Sequence, residues 1–369
     1  MLLAAGVAIG TGLLGCDQGG EGGARPGPAA AAAAAPASWQ GFGVDHWPPA
    51  RWRPYASSSP FNQRIAPGTR PLAASDAMIA QALRWGPPGH LTAGVAQSPD
   101  DWGHPTYYST TRDPVFTLRT TAPYGPNPID GKRIRIPDAA RPAGGGDSHM
   151  TIVTPDGWEY DLWQVHDKPA GGGTLRFSWG GRLRIDGNGL RTGGTASRFG
   201  NLAGVIRAPE LAAGRIDHAL FVVLRCAGDG SGYGRGVRRR ARDESAYVRP
   251  AVSGDSVCPP GTVAPPMGAR LRLAMSDAQI RALNFPRWKA AILRALARYG
   301  GYIGDTGGDG INFMFESSTM YTSFGRPDPL VAIARGAGLP DYNGRYAFDV
   351  ASGVDWARYL QVIPPPPRR

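Results

Sequence analysis

Glycine and proline, at 53 and 35 copies in 369 residues, interrupt this chain so often that long helices have little room. What lies between the turns is a succession of short runs with strand character. They include PVFTLRTT (114–121), KRIRIP (132–137), HMTIVT (149–154), WEYDLWQVH (158–166), TLRFSWGG (174–181) and RLRIDG (182–187). Further along come GVIRAP (204–209), RIDHALFVVLR (215–225), AYVRPA (246–251), ARLRLA (269–274) and YIGDTGGDGINFMFES (302–317). Many short strands at this spacing predict a mainly β fold, a β-sandwich or jelly roll with a few peripheral helices. Two helices are predicted: one over 75–85, where Met78, Ile79, Ala82 and Leu83 share a face, and one over 285–301, with a stripe of Trp288, Ile292, Ala295, Leu296 and Tyr299. No linker splits the strand pattern, so a single domain over 48–363 is expected, followed by a Pro/Arg tail at 364–369.

The amino end reads as an export signal. Residues 1–15 are apolar and of signal-peptide length, too short to span a bilayer. Leu13-Leu14-Gly15-Cys16 resembles the lipobox of bacterial lipoproteins, a resemblance that implies lipidation of Cys16 and attachment to the outer face of the cytoplasmic membrane. Residues 16–47 read as a low-complexity tether. In an exported chain the two remaining cysteines, Cys226 and Cys258, are expected to pair in a disulfide. The net charge of +11 comes with only three lysines, Lys132, Lys168 and Lys289, among 40 basic residues. Such a skew suits a GC-rich coding sequence as well as a basic surface facing an anionic polymer. No zinc spacing and no aromatic–basic module supports nucleic acid as a partner.

A three-residue loop Pro155-Asp156-Gly157 would pair Val153 with Glu159, Thr151 with Asp161 and His149 with Trp163. Met150, Ile152, Tyr160 and Leu162 then form an apolar row, and the other face gathers His149, Thr151, Glu159, Asp161 and Trp163. An imidazole, two carboxylates and an indole on one face suit sugar chemistry. His218 and Glu316 are the nearest further candidates for acid–base work, with Gln164 assisting. Trp163 and Trp158 offer stacking platforms, and Arg207 and Arg176 offer charge for an acidic sugar. No ligand spacing of a metal site occurs, and no cofactor is expected.

Glu159-Tyr160-Asp161-Leu162-Trp163-Gln164 resembles the E-x-D-x-x-E strand of laminarinase- and carrageenase-type glycoside hydrolases. The resemblance implies a concanavalin-like jelly roll with Glu159 as nucleophile and Asp161 tuning it. Gln164 stands where that motif has its acid/base glutamate, so double displacement is not available. Gln164-Val165-His166 is similar to the Q-[IV]-H of jelly-roll alginate lyases, which implies a role in handling a substrate carboxyl group. In style the chain also resembles exported actinobacterial proteins, which adds no mechanism.

These readings converge on an exported, lipid-anchored monomer that cleaves a polysaccharide, neutral or anionic, by hydrolysis or elimination. A non-catalytic carbohydrate- or cell-wall-binding surface protein is the alternative, and a structural envelope protein a third.

Overall fold

The turn Pro155-Asp156-Gly157 sets the register of the central hairpin. Gly157 takes φ +81°, a conformation that suits glycine, and the Thr154 amide closes the loop on the Trp158 carbonyl at 2.8 Å. The strands Met150–Val153 and Trp158–Trp163 then pair Val153 with Glu159, Ile152 with Tyr160, Thr151 with Asp161 and Met150 with Leu162. Thr106–Tyr108 adds to one edge in parallel, and Trp179–Arg184 to the other in antiparallel, giving a four-stranded sheet. This computed structural model describes residues 39–366 except 123, 166, 241–244 and 256–257. The predicted signal segment, Cys16 and His166 lie outside the described residues.

A five-stranded sheet carries the larger core. Its order is Ile311–Phe313, Leu220–Leu224, Gly301–Thr306, Arg270–Leu273 and Leu360–Ile363, with the second and third strands parallel. The helix Arg287–Arg298 packs Trp288, Ile292, Ala295 and Leu296 into that core, as its apolar spacing predicts. The second predicted helix is Ser75–Arg84, with Met78, Ile79 and Ala82 buried. A smaller core fills the space between the four-stranded sheet and a three-stranded one, Arg133–Arg135, Val115–Thr120 and Gly173–Phe177. The apolar row Met150, Ile152 and Leu162 meets Phe116, Leu118, Leu175 and Phe177 there.

This architecture corrects the expected β-sandwich or jelly roll. Helix and strand content are 17% and 23%, and among the described residues the strands form five open sheets, so the fold is mixed α/β. Three strand pairings are parallel, at 106–108 with 150–153, 115–120 with 173–177, and 220–224 with 301–306. Parallel neighbours need crossover connections that a run of hairpins does not supply. The run GVIRAP (204–209) is likewise no strand: Pro209 stands in the first turn of the helix Ala208–Ala213, and Gly214 at φ +65° ends it. The jelly-roll families lose the fold on which their resemblance rested.

The described residues, within 39–366, form one compact unit. Residues 39–47, which composition assigned to the tether, pack against it: Phe42 meets Trp52 and Tyr108 edge-on, and Trp47 meets Tyr321. Cys226 and Cys258 are joined, with Cα atoms 5.1 Å apart. Among the described residues no helix is long and apolar enough to cross a membrane.

Candidate functional site

Strand alternation sends Glu159, Asp161 and Trp163 to the same face. The two carboxylates do not meet solvent there. A loop over 192–202 crosses them, and both are fully buried. Asp161 Oδ2 accepts from the Gly194 amide at 2.9 Å and the Asn201 amide at 3.2 Å. Glu159 accepts from the Leu202 amide at 3.0 Å and the Tyr55 hydroxyl at 2.8 Å. Glycine is required where the loop touches itself and the sheet: a Cβ on Gly193 would lie 1.9 Å from the Phe199 carbonyl oxygen, and one on Gly194 2.6 Å from Asp161 Cβ. Burial raises both carboxyls, Asp161 to about 6, and Asp161's charge raises Glu159 well above the usual range. Of the two, Glu159 is the one that Asp161's charge favours in the protonated form. Their work is to hold the loop.

His149 sits at the edge of that cover. Its ring lies against His104, centroids 4.2 Å apart, and both rings are buried. His104 Nδ1 is 2.9 Å from the Asn201 carbonyl, which can only accept, so Nδ1 carries the proton and Nε2 presents its lone pair. Among the described residues neither His104 Nε2 nor His149 Nδ1 has a partner. Burial pushes His104 down to about 3, with His149 adding to it, and pushes His149 down to about 4. Both imidazoles are neutral at physiological pH.

Asp147 links this pair to the surface. Its Oδ2 lies 4.0 Å from His149 Nε2, and its Oδ1 accepts from the Trp163 indole at 2.9 Å. A tight loop supplies it, with Ser148 at φ +38° and Gly145 donating to the Asp101 carbonyl. The half-exposed Trp102 ring lies beside Gly145 and Gly146 on the same loop; a Cβ at Gly145 would come within 3.2 Å of it. On the other side Trp163 stands opposite Trp179 across the sheet. Tyr124 touches both, at 6.4 and 6.0 Å between centroids, and the Arg198 guanidinium lies 4.6 Å from the Trp179 ring centre. Asp147 and His149 are therefore flanked by aromatic rings.

Asp305 supplies an acid. The register of Gly301–Thr306 shifts between Ile303 and Asp305, which re-aims the side chain. Its carboxyl is pushed up to about 8 by burial and by the charges of Asp255 and Asp147. It is protonated at neutral pH, while the amides of Thr306 and Ala196 approach it at 2.8 and 3.5 Å.

The other predicted residues lie elsewhere. His218 precedes the strand Leu220–Leu224, and its Nε2 meets Glu210 at 3.0 Å, so it does not join His149. Arg207 is buried against the same Glu210 at 2.8 Å and donates to the Trp52 carbonyl. Glu316 accepts from the Ala208 amide at 2.7 Å and the Tyr321 hydroxyl at 2.9 Å, in a cavity that holds no more than a water. Burial lifts it to about 7. Trp158 is covered by Arg182 and Arg184, which lie 4.2 and 5.6 Å from its ring centre. Arg176 is exposed on the three-stranded sheet, beside Arg119. Gln164 is half-buried at φ +56°, its amide donating to the Asp147 carbonyl.

Sequence reasoning missed His104, Asp147, Trp102, Tyr124, Trp179 and Arg198. Asp147 alone left a signal, two positions before His149. Among the described residues no group of three or more His, Cys, Asp or Glu is arranged to hold a metal ion. The chain matches no protein-family model, no curated protein and no solved structure.

Proposed function

We propose that the protein is an exported, lipid-anchored enzyme that cleaves a polysaccharide at the Asp147–His149–Asp305 group. The observation that carries this reading is the run of half-buried and exposed rings, Trp102, Trp163, Tyr124 and Trp179, on either side of Asp147 and His149. Sugar rings stack on such faces by their C–H edges. Asp305 is the proton donor to the leaving oxygen, and neutral His149, beside Asp147, is the base. The same pair serves hydrolysis, with water as the proton source for His149, or elimination, with a sugar carbon.

The test is release of reducing ends, followed beside absorbance of unsaturated products, on neutral and acidic polysaccharides. Asp305→Asn and His149→Gln are expected to lower the rate roughly 10²–10⁴-fold with folding retained. The donor form of Asp305 is lost as pH rises through about 8, and the free base of His149 as pH falls through about 4. The rate should therefore be bell-shaped between those limits. Burial of both imidazoles favours a second reading, a binding module using the same aromatic rings. Retention on a glycan with no product from any polymer would select it.

A further inference from the structure

Arg198 stands on the loop that Asp161 holds in place, and three observations combine at it. Its backbone takes φ +66°, a strained conformation for a residue with a side chain. Its guanidinium lies over Trp179 at 4.6 Å from the ring centre, and it is half-buried. Among the described residues no carboxylate pairs with it, a lack it shares with other arginines such as the buried Arg270. A second cation, Arg240, adds its charge nearby, and burial together with that charge lowers Arg198 from its usual value. A partly desolvated cation without a counter-ion is costly for the free protein and favours any anion that reaches it.

Trp179 is the cross-strand neighbour of Trp163, whose indole donates to Asp147, so Arg198 and the acid–base group lie along one continuous surface. We propose that Arg198 is the subsite for a sugar carboxylate, so that the polymer this site takes is built from uronic acids. A guanidinium presents two parallel N–H groups to a carboxylate, a geometry that an ammonium lacks. This inference rests on the glycan reading of the same site but not on catalysis.

The experiment measures retardation of the full chain in gels containing polygalacturonate, the same polymer with its carboxyls reduced to alcohols, or a sulfated neutral glucan. Wild-type protein is expected to be held by polygalacturonate at least tenfold more tightly than by the carboxyl-reduced polymer. Arg198→Gln should lose that difference, and Arg198→Lys should keep only part of it. The thermal midpoint of Arg198→Gln should match or exceed wild type, because an unpaired cation has been removed. Equal retention by the two forms of the polymer, unchanged retention of Arg198→Gln, or preference for the sulfated glucan would each overturn the proposal. Arg198-dependent binding without product leaves the carboxylate subsite standing and removes the cleavage. Product from neutral polymers alone does the reverse.

Discussion

Asp161 accepts two backbone N–H groups through a single oxygen, and its charge raises the neighbouring Glu159. An asparagine in its place can accept the same amides through its side-chain oxygen. Asp161→Asn is therefore expected to cost under about 1 kcal/mol and to keep turnover within a few-fold. Asp161→Ala strands the amides of Gly194 and Asn201, at about 1–3 kcal/mol for each unsatisfied group. Denaturant unfolding of both variants, read beside product release, checks this. Loss of turnover in a stable Asp161→Asn protein would make the carboxylate a participant in the chemistry and refute its positioning role. Alternation in the sequence correctly grouped Glu159 with Asp161. It could not show that backbone donors from forty residues later would cover them.

The loop over 192–202 is an element without regular structure, held by buried acceptors on one sheet and by the strand Gly301–Thr306 on the other. The Ser197 amide donates to the Gly304 carbonyl at 3.1 Å, and the Gly200 amide to the Gly189 carbonyl at 3.0 Å. Gly193 has no room for a Cβ beside the Phe199 carbonyl, a backbone atom that cannot turn aside. Gly193→Ala should destabilise the protein by about 1–3 kcal/mol, the usual cost of overpacking. Because the loop also carries Arg198, the same variant should bind polygalacturonate less tightly although every charge is retained. Unchanged binding and stability would mean that the loop tolerates displacement and does not position Arg198. Elements of this kind are poorly legible in sequence. The hairpin register followed from a three-residue turn, and the helix Arg287–Arg298 from its apolar spacing. The parallel neighbours Leu220–Leu224 and Gly301–Thr306 are joined by no local signal, so Asp305's approach to loop residue Ala196 was hidden.

For the whole molecule, the buried ionisable groups set how stability varies with pH. Asp305 and Glu316 have folded values of about 8 and 7, raised chiefly by burial, against about 4 for free carboxyls. A raised acid makes the folded state bind more protons than the unfolded one, so stability is lost as pH climbs towards the folded value. His104 and His149 act in the opposite sense. Their folded values of about 3 and 4 lie below the free imidazole's, so stability is lost as pH falls below about 6.5. Between about pH 4 and 6.5 the two sets oppose each other. From about pH 7 to 8 both imidazoles are largely neutral folded or unfolded, and the raised acids, Glu159 among them, dominate. Stability should therefore decline across that interval, Asp305 alone accounting for about 1 kcal/mol at up to about 1.4 kcal/mol per pH unit. Thermal unfolding at half-unit steps should show a midpoint falling by several degrees. Asp305→Asn should flatten the slope, and Asp305→Asn with Glu316→Gln should flatten it further. A midpoint that rises over the interval would mean that these carboxyls are ionised in the fold, and Asp305 would then be unfit to donate a proton at neutral pH.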